Sequence, residues 1–182
     1  MKKRLLIIAA AAFTFSGCIK NLTNINKEID YSQEFSFSGV PGGGTTLPPG
    51  GVRANFPIFA FATNAQQYID QYKTSSDKIT SLKLAKCNLT MSLPANGNFD
   101  YVDSIQIYLS ATGLNEKLAA YKYDIPKGQN TISLDKSTDE FKEYFLKDSM
   151  YVRVSAHFVA VPDSNSKINM ETGFNMIANP LN

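Results

Sequence analysis

The stretch ITSLKLAKCNLTMSL, residues 79–93, alternates apolar and polar side chains over its length. That period sends successive side chains to opposite sides of an extended backbone, so the segment reads as a strand with one face on a core and the other in water. The alternation contains a fault. Leu82 and Leu84 sit at even positions, whereas Cys87, Leu89, Met91 and Leu93 sit at odd ones. A slip of one residue turns every later side chain to the other face unless the strand bulges, so the sequence predicts a bulge at Ala85 and Lys86. Leu89, Met91 and Leu93 then share a buried face with Ile105, Ile107 and Leu109 of a neighbouring strand.

The same period recurs at residues 29–37, 101–110, 118–123, 131–134, 151–161 and 167–178. A shorter strand, 55–61, contains Pro57, which donates no ladder hydrogen bond and places it at a sheet edge. Thr63 with Gln66 and Ser137 with Glu140 have the spacing of capping boxes, each opening a short helix; Ala65, Tyr68, Ile69 and Tyr72 line one face of the first. Pro162 to Ser166 are turn formers that predict an antiparallel hairpin between the last two strands. The string GVPGGGTTLPPGG, residues 39–51, lacks the Gly-Lys-Ser/Thr that opens the helix of a phosphate loop and reads as a surface loop. Together these signals predict an all-β fold, an antiparallel β-sandwich of about seven to nine strands with one or two short helices, with a closed barrel as the alternative.

The chain opens with Lys2, Lys3 and Arg4, an apolar run over residues 5–15, and small Ser16 and Gly17. This is the charged, apolar and small-residue order of a secretory signal peptide, and the run is shorter than the roughly 20 residues a membrane-crossing helix needs. Phe15-Ser16-Gly17-Cys18 resembles the bacterial lipobox, in which the cysteine is acylated and becomes the new N-terminus; the usual first residue, Leu, is replaced by Phe. The expected organisation is therefore a signal peptide over residues 1–17, a lipidated tether over 18–28 and a β-sandwich domain over 29–182. Two or more acyl chains on Cys18 would make attachment stable where one chain holds only reversibly.

Three of the eighteen cations fall in the leader and no acid does, so the remaining chain carries fifteen cations against sixteen acids, net −1. Such a balance, with the lysines scattered, offers a polyphosphate backbone no counter-charge, and nucleic acid is not an expected partner. With Cys18 acylated, Cys87 has no partner for a disulfide. Its apolar, alternating neighbours make it a small buried hydrophobe.

Candidate chemistry is sparse. A hydrolase triad needs a base, and the single histidine, His157, lies in the phase opposite to Val154, Ala156 and Phe158, which places it on a solvent-facing side of its strand. Too few His and Cys residues exist for a transition-metal site. Asp163-Ser164-Asn165 lacks the later glycine and glutamate of a calcium loop. The acid pairs Asp100 with Asp103 and Asp139 with Glu140 do not read as carboxylates facing each other across a cleft. No catalytic residue, metal site or cofactor is expected. Tyr121 and Tyr123 share one face of a strand and are the candidates for ligand stacking: a sugar-binding protein would hold them in the open, a structural module would cover them.

The segments KITSLKLAKCNLTMSL and FDYVDSIQIYLSATG, within a stretch of roughly residues 78–178, resemble small Bacteroidota lipoproteins with an immunoglobulin-like (LEA14-like) β-sandwich. The resemblance rests on strand patterns and brings no catalytic residue. It implies an outer-membrane location through palmitate-type acylation at Cys18. It also implies O-glycosylation at Asp-Ser-apolar sequons, here Ser104 and Ser149, whose hydroxyls alternation places in solvent. Surface-exported members carry acids just after the cysteine; here the first acid is Glu28, which points to a periplasm-facing domain. The expected function is that of a non-enzymatic outer-membrane lipoprotein acting as an envelope structural or protein-interaction module. The alternative is a glycan-binding or adhesin-like accessory lipoprotein at the cell surface. The expected partners are the membrane, through the N-terminal anchor, and a protein of the envelope.

Overall fold

A computed structural model describes residues 24–42, 46–162 and 166–179. Cys18, the leader and residues 163–165 lie outside the described residues. The described elements, in chain order, are β1 (Ile25–Phe37), β2 (Val52–Asn55), β3 (Phe59–Ala62), α1 (Ala65–Gln71), β4 (Ile79–Leu93), β5 (Val102–Ala111), β6 (Leu114–Lys122), β7 (Thr131–Ser133), β8 (Asp135–Lys136), α2 (Lys142–Phe145), β9 (Ser149–Phe158) and β10 (Ser166–Ala178). They form two antiparallel sheets, one ordered β1-β10-β4-β7, the other β2-β9-β5-β6-β8 with β3 beside β2 on the same edge of β9. The architecture is an antiparallel β-sandwich.

The bulge in β4 falls where the sequence places it. Lys86 pairs with Gly173 and Leu84 with Phe174, which leaves Ala85 without an opposite residue in β10. Leu82, Leu84, Cys87, Leu89 and Met91 consequently all face the core, as do Ile105, Ile107 and Leu109 of β5. Leu93 does not. A second shift pairs Met91 with Ile168 but Leu93 with Lys167. Ser92 is thereby skipped and Leu93 turns to the outer face, where it is 42% exposed.

Three further expectations are corrected. Residues 55–61 are not one strand: Phe56, Pro57 and Ile58 interrupt the ladder, and β2 and β3 pair separately with β9, both at the predicted edge. The hairpin expected between the last two strands is absent, because β9 and β10 belong to different sheets. Both edges of β9 are already taken, by β5 on one side and by β2 and β3 on the other, so the chain crosses to the opposite layer. Neither capping box forms. Thr63 Oγ1 donates to the Lys147 carbonyl at 2.5 Å, and Asn64 precedes α1 in a left-handed conformation without a side-chain cap. The Glu140 carboxylate reaches across to β4, accepting from the Leu82 N–H and from Ser81 Oγ at 2.7 Å. It staples the segment before α2 to the sheet. A fourth difference lies in β6, which begins at Leu114 directly after a Thr112-Gly113 turn; Gly113 there takes φ +77.

The sandwich has two distinct ends. At one, β1 begins at Ile25, opposite Ala178 of β10, and Lys27 lies over the Tyr72 ring just after α1. At the other, Phe37 packs on Phe56 and Tyr101, and Tyr101 stacks on Phe158. β1 runs from the first end to the second, and thirteen extended residues cover about 40 Å at roughly 3.4 Å each.

Candidate functional site

The two outer faces differ in chemistry, and the six-stranded sheet carries the candidate site. In β9 the odd positions Arg153, Ser155 and His157 alternate with Val152, Val154, Ala156 and Phe158, which are buried. Direct opposition across the ladders brings Ser104, Gln106 and Tyr108 of β5, Arg53 and Asn55 of β2, and Tyr121 of β6 to the same outer face.

Near the Phe37 end these side chains form a connected network. Arg53 donates from Nη2 to Ser104 Oγ at 2.9 Å and from Nη1 to Gln106 Oε1 at 3.0 Å. Gln106 Nε2 donates to the Tyr123 hydroxyl at 3.1 Å. The Tyr123 ring packs against Tyr121 with centroids 5.3 Å apart. Beside them, His157 Nδ1 lies 2.9 Å from both Asp103 oxygens; a carboxylate only accepts, so Nδ1 carries the proton. The opposite edge of the imidazole rests on Gly51, whose φ of +84 favours glycine and where a Cβ would collide with the Phe158 carbonyl oxygen. Asp124, at φ +53, follows Tyr123 and is fixed by the Ile125 N–H bond to the Asp103 carbonyl at 3.0 Å. Arg53, Asp103, Ser104, Tyr123, Asp124 and His157 line a shallow hollow of about 330 Å³.

Further along the face, toward the Ile25 end, Arg153 lies over the Tyr108 ring at 4.1 Å. It grips both oxygens of Glu116, at 2.9 and 2.6 Å, and bonds Asn55 at 2.8 Å.

Ser, His and Asp therefore meet on one face, yet they are not wired as a triad. Ser104 and His157 are cross-strand neighbours, but Ser104 Oγ is held by Arg53, and the ring edge that would serve as base faces Gly51. A serine nucleophile needs its base within hydrogen-bond reach.

The expected site residues fare differently. His157 is half-buried on the outer face, as its phase indicates. Its partner Asp103 was not anticipated, although a signal exists: Val102 and Ile105 break the two-residue period, and β5 shifts register between Val102 and Ser104. A bulge re-aims side chains, and this one places Asp103 beside the imidazole. Ser104 points outward as alternation requires but does not reach solvent freely. It is 7% exposed because the Arg53 guanidinium covers its hydroxyl. Ser149, the first residue of β9, is half-buried. Tyr121 is half-buried and Tyr123 is 50% exposed, so neighbouring strands do not cover the pair. Cys87 is buried, and desolvation pushes its thiol from an ordinary 9.0 up to about 12, which keeps it protonated and unreactive at neutral pH. Asp100 serves a turn, accepting from the Gly128 N–H at 2.6 Å.

Larger hollows lie at both ends of the sandwich. One, of about 570 Å³, lies at the Ile25 end between Thr63, Gln66, Ile69 and Asp148. The other, of about 420 Å³, lies at the far end between Pro94, Asn98, Tyr101 and Val161. Neither gathers an arginine, a histidine, two carboxylates and an exposed aromatic ring.

No family model and no curated protein matches the chain. Among solved structures, one of Desmodium yellow mottle tymovirus aligns over 98% of this chain and 95% of that one, at 10% identity and a TM-score of 0.29. A likeness that slight carries no argument about fold or function.

Proposed function

We propose that this chain is a non-enzymatic outer-membrane lipoprotein whose sandwich acts as an interaction module of the envelope, held by acylated Cys18 and facing the periplasm. One observation carries the reading. β1, the first described strand after Cys18, runs the length of the sandwich from Ile25, and the Arg53–His157 network lies near its far, Phe37 end, which supports a surface held away from an N-terminal anchor. A module that meets partners needs its polar, aromatic surface clear of the headgroups, and the length of β1, about 40 Å, is consistent with that need. The unwired Ser104 and His157 support a binding role over a hydrolytic one.

The anchor has a direct test. Cys18→Ala should abolish incorporation of labelled palmitate and leave the chain soluble or uncleaved. A Cys18→Ala protein that still takes label and still fractionates with membranes overturns the reading.

A further inference from the structure

We propose that the hollow lined by Arg53, Asp103, Tyr123, Asp124 and His157 is a binding site for a neutral sugar ring. The inference goes beyond the interaction-module reading and rests on the lining of the hollow, not on the anchor.

Charge balance selects the ligand class. Two acids, Asp103 and Asp124, line the hollow together with Arg53 and His157, and Asp103 is paired with the imidazole. An anion entering it meets both acids, and a cation meets Arg53. A hydroxyl satisfies either side, because it donates to a carboxylate and accepts from a guanidinium in turn. A compact molecule bearing several hydroxyls and no net charge is thus the chemistry that leaves no group opposed.

Shape and aromatic placement narrow it further. The hollow, about 330 Å³, suits a single ring better than an extended chain. Tyr123, 50% exposed, is among the residues that line it. The tyrosine ring offers an apolar face to the C–H side of a sugar while its hydroxyl is held by Gln106.

The groups are also fixed before a ligand arrives. Arg53 spends two of its five N–H donors on Ser104 and Gln106, which orients the fork and leaves three free. His157 is clamped between Asp103 and Gly51. Side chains already ordered lose little freedom on binding.

The test uses the full-length protein in a detergent without a sugar headgroup, and the Cys18→Ala protein beside it. Saturation-transfer NMR is recorded with glucose, galactose, mannose, N-acetylglucosamine, cellotriose, glucuronate and galacturonate. At least one neutral sugar should bind both proteins equally, and each uronate should bind more weakly than its neutral parent. Tyr123→Ala should weaken binding roughly tenfold, and Tyr123→Phe, which keeps the ring, by less than about threefold. Arg53→Met should weaken it as well, and Lys86→Ala, on the opposite sheet, should change nothing. Failure of every neutral sugar to bind, tighter binding of a uronate than of its parent, or binding indifferent to both Tyr123→Ala and Arg53→Met overturns the site. Loss of palmitate labelling in Cys18→Ala with sugar binding retained would separate the anchor from the site.

Discussion

The outer faces of the two sheets are built on the same pleat and reach solvent in opposite ways. On the four-stranded sheet, ion pairs and short polar bonds cross between strands. Lys86 bridges Glu28 at 3.0 Å and Asp30 at 2.8 Å, passing over Gly173, and Lys167 meets Glu34 at 3.1 Å. Ser32 bonds Asn169 and Ser133 bonds Asn88. The participants are largely exposed, and Glu34 is held below the ordinary carboxylate range by Lys167 first and Ser92 second. On the six-stranded sheet, long side chains lie down on aromatic rings and on one another, so that Arg153 is only 24% exposed and Ser104 is nearly covered. The first face is solvated and separate from strand to strand. The second is a packed polar layer, which is what holding side chains in one geometry requires.

Removal of Ala85 should have the largest effect, because the bulge sorts inside from outside on β4. Without it, either Leu82 and Leu84 or Cys87, Leu89 and Met91 must turn to water. Each large apolar side chain is worth about 1.5–3 kcal/mol of burial, and two or three of them rival the roughly 5–15 kcal/mol of a whole domain. The expected result is loss of a cooperative thermal transition. A sharp melt at the wild-type temperature would show that the bulge does not set the faces.

Arg153→Ala should come next, lowering stability by about 1–2 kcal/mol in a urea titration through loss of the Tyr108 stacking and the bidentate Glu116 pair. Arg153→Lys should recover less than half of that, since an ammonium neither forks nor stacks. Lys86→Ala should have the smallest effect, with a urea midpoint equal to wild type within error at physiological salt, because exposed pairs are screened and their side chains are mobile. A Lys86→Ala loss as large as that of Arg153→Ala would erase the distinction between the faces.

The parts of this fold that were legible in the sequence were those carried within a strand. The phase fault at Leu84 and Cys87 announced the bulge, and the phase of His157 gave its face, because alternation is local. Pairings between strands were not legible. Nothing in Pro162 to Ser166 says that β9 is already flanked on both edges, and nothing near Thr63 or Glu140 says that a distant carbonyl or N–H will claim the oxygen meant for a cap. The candidate site belongs mostly to this second kind. Arg53, Asp103, Tyr123 and His157 come from separate strands and a turn, and only the broken period between Val102 and Ile105 hinted that one of them would be re-aimed.

The placement of β1 has a mechanical consequence. In the proposed arrangement the domain is gripped at two points, the acylated cysteine at one end and a bound partner at the other, so tension between them enters through Ile25 and runs along the strand. β1 is paired with β10 over all thirteen residues, from Ile25 opposite Ala178 to Phe37 opposite Ser166, and the ladder hydrogen bonds lie across the strand axis. A pull along that axis loads the whole ladder in shear at once, instead of peeling its bonds one after another. In the proposed arrangement β1 is thus oriented to bear traction along its full ladder with β10.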